Sequence, residues 1–155
     1  MAQTTNLHMT LINGSDLVDP NVINNNFEQV DHLGVDYIVE SGTAGEWWYR
    51  KWNSGRAECG IDDKNFGTMS NTYQWGGFYI SEEKTFGSYP FSFKTRPFAS
   101  ISFNSNNGTT SMFTCYVAVV STTSTTTSPK FRLVDVHSVT NYQGSFGIYV
   151  CGQWK

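Results

Sequence analysis

Glu46-Trp47-Trp48-Tyr49-Arg50-Lys51-Trp52-Asn53-Ser54-Gly55-Arg56-Ala57-Glu58-Cys59 decides the fold class of this 155-residue chain. The run from Glu46 to Trp52 is aromatic-rich and reads as a strand. Asn53-Ser54-Gly55 is a three-residue loop with glycine where the last loop residue needs a positive φ, and a second strand resumes at Arg56. Neighbours on a strand face opposite ways. Trp48, Arg50 and Trp52 therefore share one face, and Trp47, Tyr49 and Lys51 the other. A strand with aromatics on both faces is either buried on both sides or shows one face to a ligand. The tight turn favours burial, which makes Trp47, Trp48, Tyr49, Trp52 and Gly55 a structural hairpin.

Composition agrees with a β-rich reading. Aromatic residues make up 15% of the chain and charged residues only 15%. Enrichment in Thr, Ser, Asn, Gly and aromatics favours strands and turns over helices. A single domain fits the length. The net charge of −3 supplies no basic field, which argues against nucleic acid and anionic membranes as partners. Cys59, Cys115 and Cys151 stand at wide spacings without a C-x-x-C or C-x-x-H pair, so they read as small apolar strand residues, with one disulfide as the alternative, and no metal or cofactor is expected. The N-terminus has neither a basic start nor an apolar stretch, so no signal peptide is expected. No apolar run approaches the ~20 residues of a membrane helix.

One helix is expected, over residues 20–33. Asp19 is a good N-cap, Pro20 fits the first helical position and Gly34 closes the segment. Ile23, Phe27 and Val30 form a narrow apolar stripe that suits docking on the domain or a short parallel bundle between subunits. Helices this short are marginal alone, so the β-region must carry most of any association. After Gly34 strands and turns continue to the end. Tyr37-Ile38-Val39 is a short strand. Tyr89, Phe91 and Phe93 alternate with other residues, as do Ala99, Ile101 and Phe103. Residues 112–120 are apolar on both faces, as in a central strand or one covered by a partner subunit. Residues 130–137 switch face between Leu133 and Val134, which hints at a bulge. Ser121–Ser128 reads as a flexible connecting loop and Asn104–Thr110 as a polar tip. The expected fold is all-β: an antiparallel β-sandwich or jelly-roll-like domain preceded by one short N-terminal helix.

Catalytic chemistry finds little support. His8, His32 and His137 are scattered, and no nucleophile motif accompanies them. Asp62-Asp63 and Glu82-Glu83 invite a glycosidase or Ca²⁺ reading, but adjacent acids in polar loops are ordinary turn residues without the required spacing. Binding is the better reading. Tyr73, Trp75, Tyr89 and Tyr142 lie near turns, where a flat ring can stack on a pyranose while nearby Asn, Asp and Thr hold its hydroxyls. The competing reading is that these rings plug the ends of the sandwich.

Four stretches carry a family resemblance. Asn24-Asn25-Asn26-Phe27-Glu28-Gln29-Val30-Asp31-His32-Leu33-Gly34 resembles N-x-N-F-E-x-x-D-x-L-G, and Asp36-Tyr37-Ile38-Val39-Glu40-Ser41-Gly42 resembles D-Y-V-V-E-x-G. Trp47 to Cys59 is similar to W-x-Y-R-K-W-x-S-G-x-A-E-C, and Gly152-Gln153-Trp154-Lys155 to a closing G-x-W-K. Together these resemble the tail-fibre and minor tail proteins of phages and prophages of Gram-positive (Firmicutes) bacteria, whose C-terminal β domain is of the receptor-binding type. Two departures stand out: Cys59-Gly60-Ile61 lacks the Trp-Gly that usually follows the cysteine, and only about twenty residues precede the helix.

The resemblance implies a homotrimeric β-sandwich at a virion tail tip, assembled in the host cytoplasm and adhering to host cell-surface carbohydrate. It implies other phage tail proteins as further partners and no enzyme activity. On this reading residues 1–34 serve trimerisation or tail docking, through Ile23, Phe27 and Val30, ahead of a β domain over 35–155 with the 46–62 hairpin as joint. A purely structural tail or baseplate component is the first alternative, and a glycan-degrading tail enzyme the second.

Overall fold

The alternation seen around Trp47 to Cys59 becomes the framework of a two-sheet sandwich. The computed structural model of the protein describes residues 20–32, 36–105 and 115–155. The chain divides into two compact units, Met1–Tyr37 and Ile38–Lys155. The first contains helix α1 (Pro20–His32). On it Ile23 is half-buried and Phe27 is exposed. The Asp19 cap, Leu33, the Gly34 stop, the side chain of Val30 and residues 106–114 lie outside the described residues, as does segment 1–19.

In the second unit, β1 (Ile38–Ala44), β2 (Trp47–Trp52), β3 (Arg56–Asn65), β12 (Gly144–Gln153) and β8 (Phe98–Ser105) form an antiparallel sheet in that order. A second sheet runs β5 (Tyr73–Trp75), β6 (Phe78–Ile80), β10 (Lys130–Asp135), β7 (Lys84–Thr85), with β9 (Tyr116–Val119) also pairing β10. β4 (Met69–Asn71) and β11 (Val139–Tyr142) form a small ladder beside them. The Asn53-Ser54-Gly55 loop closes with Gly55 at φ 91° and its N–H donating to the Trp52 carbonyl at 3.0 Å. β2 and β3 are interior strands of the first sheet, so the hairpin is built into the sandwich itself.

Period-2 alternation places Ala57, Cys59, Ile61, Phe146, Ile148 and Val150 inward from the first sheet, against Phe131 and Leu133 of the second. Burial of each large apolar side chain contributes about 1.5–3 kcal/mol. Phe66 is the aromatic hub: its ring meets Phe86, Phe131 and Phe146 edge-on at 5.3–5.5 Å, the geometry that the ring quadrupoles favour. Lys51, on the inward face of β2, has its ammonium over Phe91 and Trp154 while it pairs with Glu40 at 2.8 Å. The charge is thus tolerated at the rim of an apolar layer. Cys59, Cys115 and Cys151 are free thiols.

Several expectations are corrected. Tyr89-Phe91-Phe93 lies on an irregular segment, because the Tyr89 and Phe93 N–H groups donate to the Thr126 and Thr125 carbonyls of a distant loop and not to a regular strand ladder. Ser121–Ser128 is tied down, since Thr126 and Thr125 carbonyls accept from Tyr89 and Phe93 N–H at 2.9 and 2.8 Å, and Ser124 Oγ accepts from Thr127 N–H at 2.7 Å. Its hydroxyls satisfy backbone groups locally. β10 pairs β9 in unbroken register from Phe131↔Val119 to Val134↔Tyr116, so no bulge occurs there; Leu133 faces the core and Val134 the opposite face. β9 is an edge strand among the described residues, with Tyr116 and Val119 exposed, which corrects the central-strand alternative only. His137 sits in the bend after β10.

Candidate functional site: an aromatic groove on the second sheet

The β5–β6 hairpin turns at Gly76-Gly77, with Gly76 at φ 61°, which a residue carrying Cβ rarely adopts. This tight turn places Tyr73 opposite Ile80 and Trp75 opposite Phe78. Ile80 in turn faces Val134, and Val134 faces Tyr116. One row of side chains, Tyr73, Ile80, Val134, Tyr116, therefore crosses four strands on the outer face of the second sheet. Tyr73 and Trp75 remain 68% and 70% exposed, two residues apart on one face.

Beside them runs a cleft of about 530 Å³ lined by Tyr73, Trp75, Ile80, Glu83, Ala118, Val120, Arg132 and Val134. Its charged corner is fixed. Arg132 pairs with Glu83 at 2.9 Å and donates to the Ser81 carbonyl at 2.8 Å, and Lys130 reaches the other Glu83 oxygen at 3.1 Å. Lys130 first, then Arg132, holds the Glu83 carboxyl below its ordinary range. On the other side of Tyr73 a second hollow of about 430 Å³ is lined by Thr68, Ser70, Thr72, Ser81 and Glu82, and shares Tyr73, Ile80 and Arg132 with the first. Tyr73, Ile80 and Arg132 thus border both an apolar compartment and a hydroxyl-lined one. Such an arrangement accepts a ligand with one apolar face and a polar rim.

The four turn aromatics part company. Tyr73 and Trp75 come together on this groove. Tyr89 is 7% exposed, edge-on to Trp47 at 5.5 Å and to Phe93 at 5.4 Å. Its hydroxyl has no hydrogen-bond partner, and burial pushes its pKa up. Tyr142 is 3% exposed and donates its hydroxyl to Asp135, itself fully buried. Burial first, then that bond, raises its pKa. Neither buried ring presents a face to a ligand, which corrects the stacking role expected of Tyr89 and Tyr142. Both fill the sandwich, where their aromatic area stabilises most.

The acidic pairs are also placed. Glu82 pairs with Lys84 and Glu83 with Lys130 and Arg132. Asp62 accepts the Trp48 indole N–H at 3.0 Å, on the first sheet. Sequence reading missed Arg132, Ala118, Val120 and the Thr68-Ser70-Thr72 side. The alternation Thr68, Ser70, Thr72 was a signal: one polar strand face leading directly into Tyr73.

No protein-family model matches this chain, and no curated protein does. Solved structures do match. An N-truncated R1-type pyocin tail fibre superposes with a TM-score of 0.51 at 15% identity, covering 81% of this chain and 94% of that one. The fold is similar to that of an R1-type pyocin tail fibre. A longer C-terminal fragment of the P. aeruginosa R1 pyocin fibre gives a TM-score of 0.46 at 18% identity, covering 88% of this chain and 32% of the fragment. This chain therefore spans about a third of that pyocin fragment. At 15% identity the likeness to the N-truncated tail fibre is one of fold, and the groove is read from this chain's own residues.

Proposed function

We propose that this chain is a phage-type tail-fibre module that adheres, as a homotrimer, to a glycan on a bacterial surface, with the Tyr73–Trp75 groove as its sugar platform. One observation carries the proposal: two adjacent, outward, two-thirds-exposed rings bordered by an apolar cleft and a hydroxyl-lined hollow. The rings offer flat apolar area at low conformational cost. Thr68, Ser70, Thr72 and the Arg132–Glu83 pair supply hydrogen bonds at the edge. The four sequence motifs and the likeness of fold to a pyocin tail fibre support the same reading. Other virion proteins are the further partners, and α1 with its Ile23–Phe27–Val30 stripe is the segment proposed for trimer contacts or tail docking. Binding of the purified chain to bacterial wall polysaccharides, with Trp75→Ala alongside, tests the platform. A well-folded chain that binds none of them sinks it.

A second reading draws on the apolar content of the same face. Phe78, Tyr116 and Val120 are exposed beside the groove, a cluster of the kind that marks protein interfaces. On that reading the face packs against another tail subunit. The test is direct: Trp75→Ala then changes the mass seen by light scattering, whereas on the adhesion reading it changes sugar binding alone.

A further inference from the structure

We propose that the opposite face of the sandwich carries a second sugar subsite, beside the Trp48–Tyr149 pair and above Gly147, which takes an uncharged hexopyranose ring. The inference presupposes the adhesive reading but concerns the outer face of the first sheet, and its failure is separable from failure of the Tyr73–Trp75 groove.

The site begins with two glycines in strand interiors. Gly60 on β3 and Gly147 on β12 are not among the positive-φ glycines, so no turn requires them. Space does. A Cβ at Gly60 would stand 2.7 Å from the Trp48 ring, and a Cβ at Gly147 would stand 2.8 Å from Ser102 Oγ. Glycine within a strand costs stability and marks close approach of another group. Here it lowers the floor of the sheet and lets the Trp48 indole lie across β3.

The indole is then held in place. Trp48 Nε1 donates to Asp62 at 3.0 Å, and Arg50 stands 5.9 Å over the ring. Tyr149 faces Gly60 in the ladder, lies 6.3 Å from Trp48 at 39°, and is fixed by donating its hydroxyl to Glu58 at 2.6 Å. This pair borders a groove of about 330 Å³, lined also by Asp62, Ser100, Ser102 and Gly147. Both serines and Asp62 are exposed, and a carboxylate accepts more than one hydrogen bond.

The chemistry follows from these groups. Trp48 and Tyr149 supply flat apolar walls against the C–H face of a sugar ring. Asp62 accepts from hydroxyls by charge-assisted bonds, and the serine hydroxyls serve as donor or acceptor. Glu58 is paired with Arg50 at 3.6 Å, so Asp62 is the acid that lines the groove; its charge repels carboxylated sugars, which selects an uncharged pyranose.

The test is a titration of the whole ¹⁵N-labelled chain with methyl β-D-glucopyranoside, methyl β-D-galactopyranoside and N-acetylglucosamine, following the indole N–H signals assigned by Trp→Phe variants. The expected result is movement of the Trp48 signal with at least one of the three. Asp62→Ala should weaken that response by about tenfold or more, the effect of losing a charge-assisted bond. Ser102→Tyr, an exposed strand position opposite Gly147, should block the groove while leaving the melting temperature in place. Trp75→Ala should leave the Trp48 response unchanged. Movement of Trp75 alone would overturn this subsite and keep the first groove. A Trp48 response indifferent to Ser102→Tyr would also overturn it. Silence of both indoles with all three sugars would overturn the subsite, and if wall polysaccharide also failed to bind, the adhesion reading with it.

Discussion

Removing one oxygen at Tyr142 separates a core role from a ligand role. Tyr142 is 3% exposed and its hydroxyl donates to Asp135, whose side chain is fully buried. The other carboxylate oxygen receives the His137 backbone N–H at 2.8 Å and lies 3.3 Å from His137 Nδ1. Tyr142→Phe keeps the ring and its edge-on contact with Phe103, so no cavity opens, yet a buried carboxylate loses a donor. Hydrogen bonds to charged groups contribute about 1.5–3 kcal/mol net, and burial of the deprived partner points to the upper half of that range. For a unit the size of Ile38–Lys155, 1 kcal/mol moves Tm by roughly 4 °C, so the drop expected is about 9–12 °C. Thermal unfolding followed by far-UV circular dichroism at neutral pH measures it, with urea midpoints as a second measure. Sugar binding by the folded variant should be unchanged. A variant that melts with the parent but binds sugar less well would refute the argument, because Tyr142 would then be acting on a ligand.

Three further outcomes follow from buried polar groups. Tyr89→Phe removes a buried hydroxyl that has no hydrogen-bond partner, so stability should hold or rise by up to about 1 kcal/mol in urea unfolding; a clear loss would contradict the burial argument. Asn71 is fully buried on β4, and neither its amide nitrogen nor its oxygen has a hydrogen-bond partner, so Asn71→Leu should raise stability by about 1–2 kcal/mol, and a lower urea midpoint would count against it. Burial pushes the Cys59 thiol from 9.0 up to about 12. A raised folded pKa means that its stabilisation is intact below pH 9 and is lost as pH rises toward 12, with a slope approaching 1.4 kcal/mol per pH unit, or about one proton. Cys59→Ala should flatten the fall in stability between about pH 9 and pH 11, measured by urea unfolding, and an unchanged slope would show that the thiol does not carry it.

The sandwich was legible because its strands alternate cleanly. Ala57, Cys59 and Ile61, or Phe146, Ile148 and Val150, each show one inward face. The loop at Asn53-Ser54-Gly55 carries its own turn chemistry. Where both faces are covered, alternation misleads. Val134 next to Leu133 looks like a bulge in the sequence, but each residue faces a different apolar surface. Tyr89, Phe91 and Phe93 mimic a strand, although the segment is held by the Thr125 and Thr126 carbonyls of a distant loop, a long-range pairing that no local pattern contains. The groove was half legible. Tyr73 and Trp75 were readable from the Gly76-Gly77 hairpin. Tyr89 and Tyr142 share the same turn-side context, and only burial tells them apart. Arg132, Ala118 and Val120 reach the groove through the β9–β10 pairing, which is a fact of tertiary structure.

Binding of Tyr73→Ala/Trp75→Ala to purified bacterial wall polysaccharide, beside the parent and Tyr89→Phe, tests the adhesion account most directly. Each stacked ring lost should cost about 0.5–1.5 kcal/mol in binding, so the double variant, losing about 1–3 kcal/mol, should bind roughly five- to 150-fold more weakly. Tyr89→Phe should bind as the parent does. Equal binding by all three proteins would contradict the account.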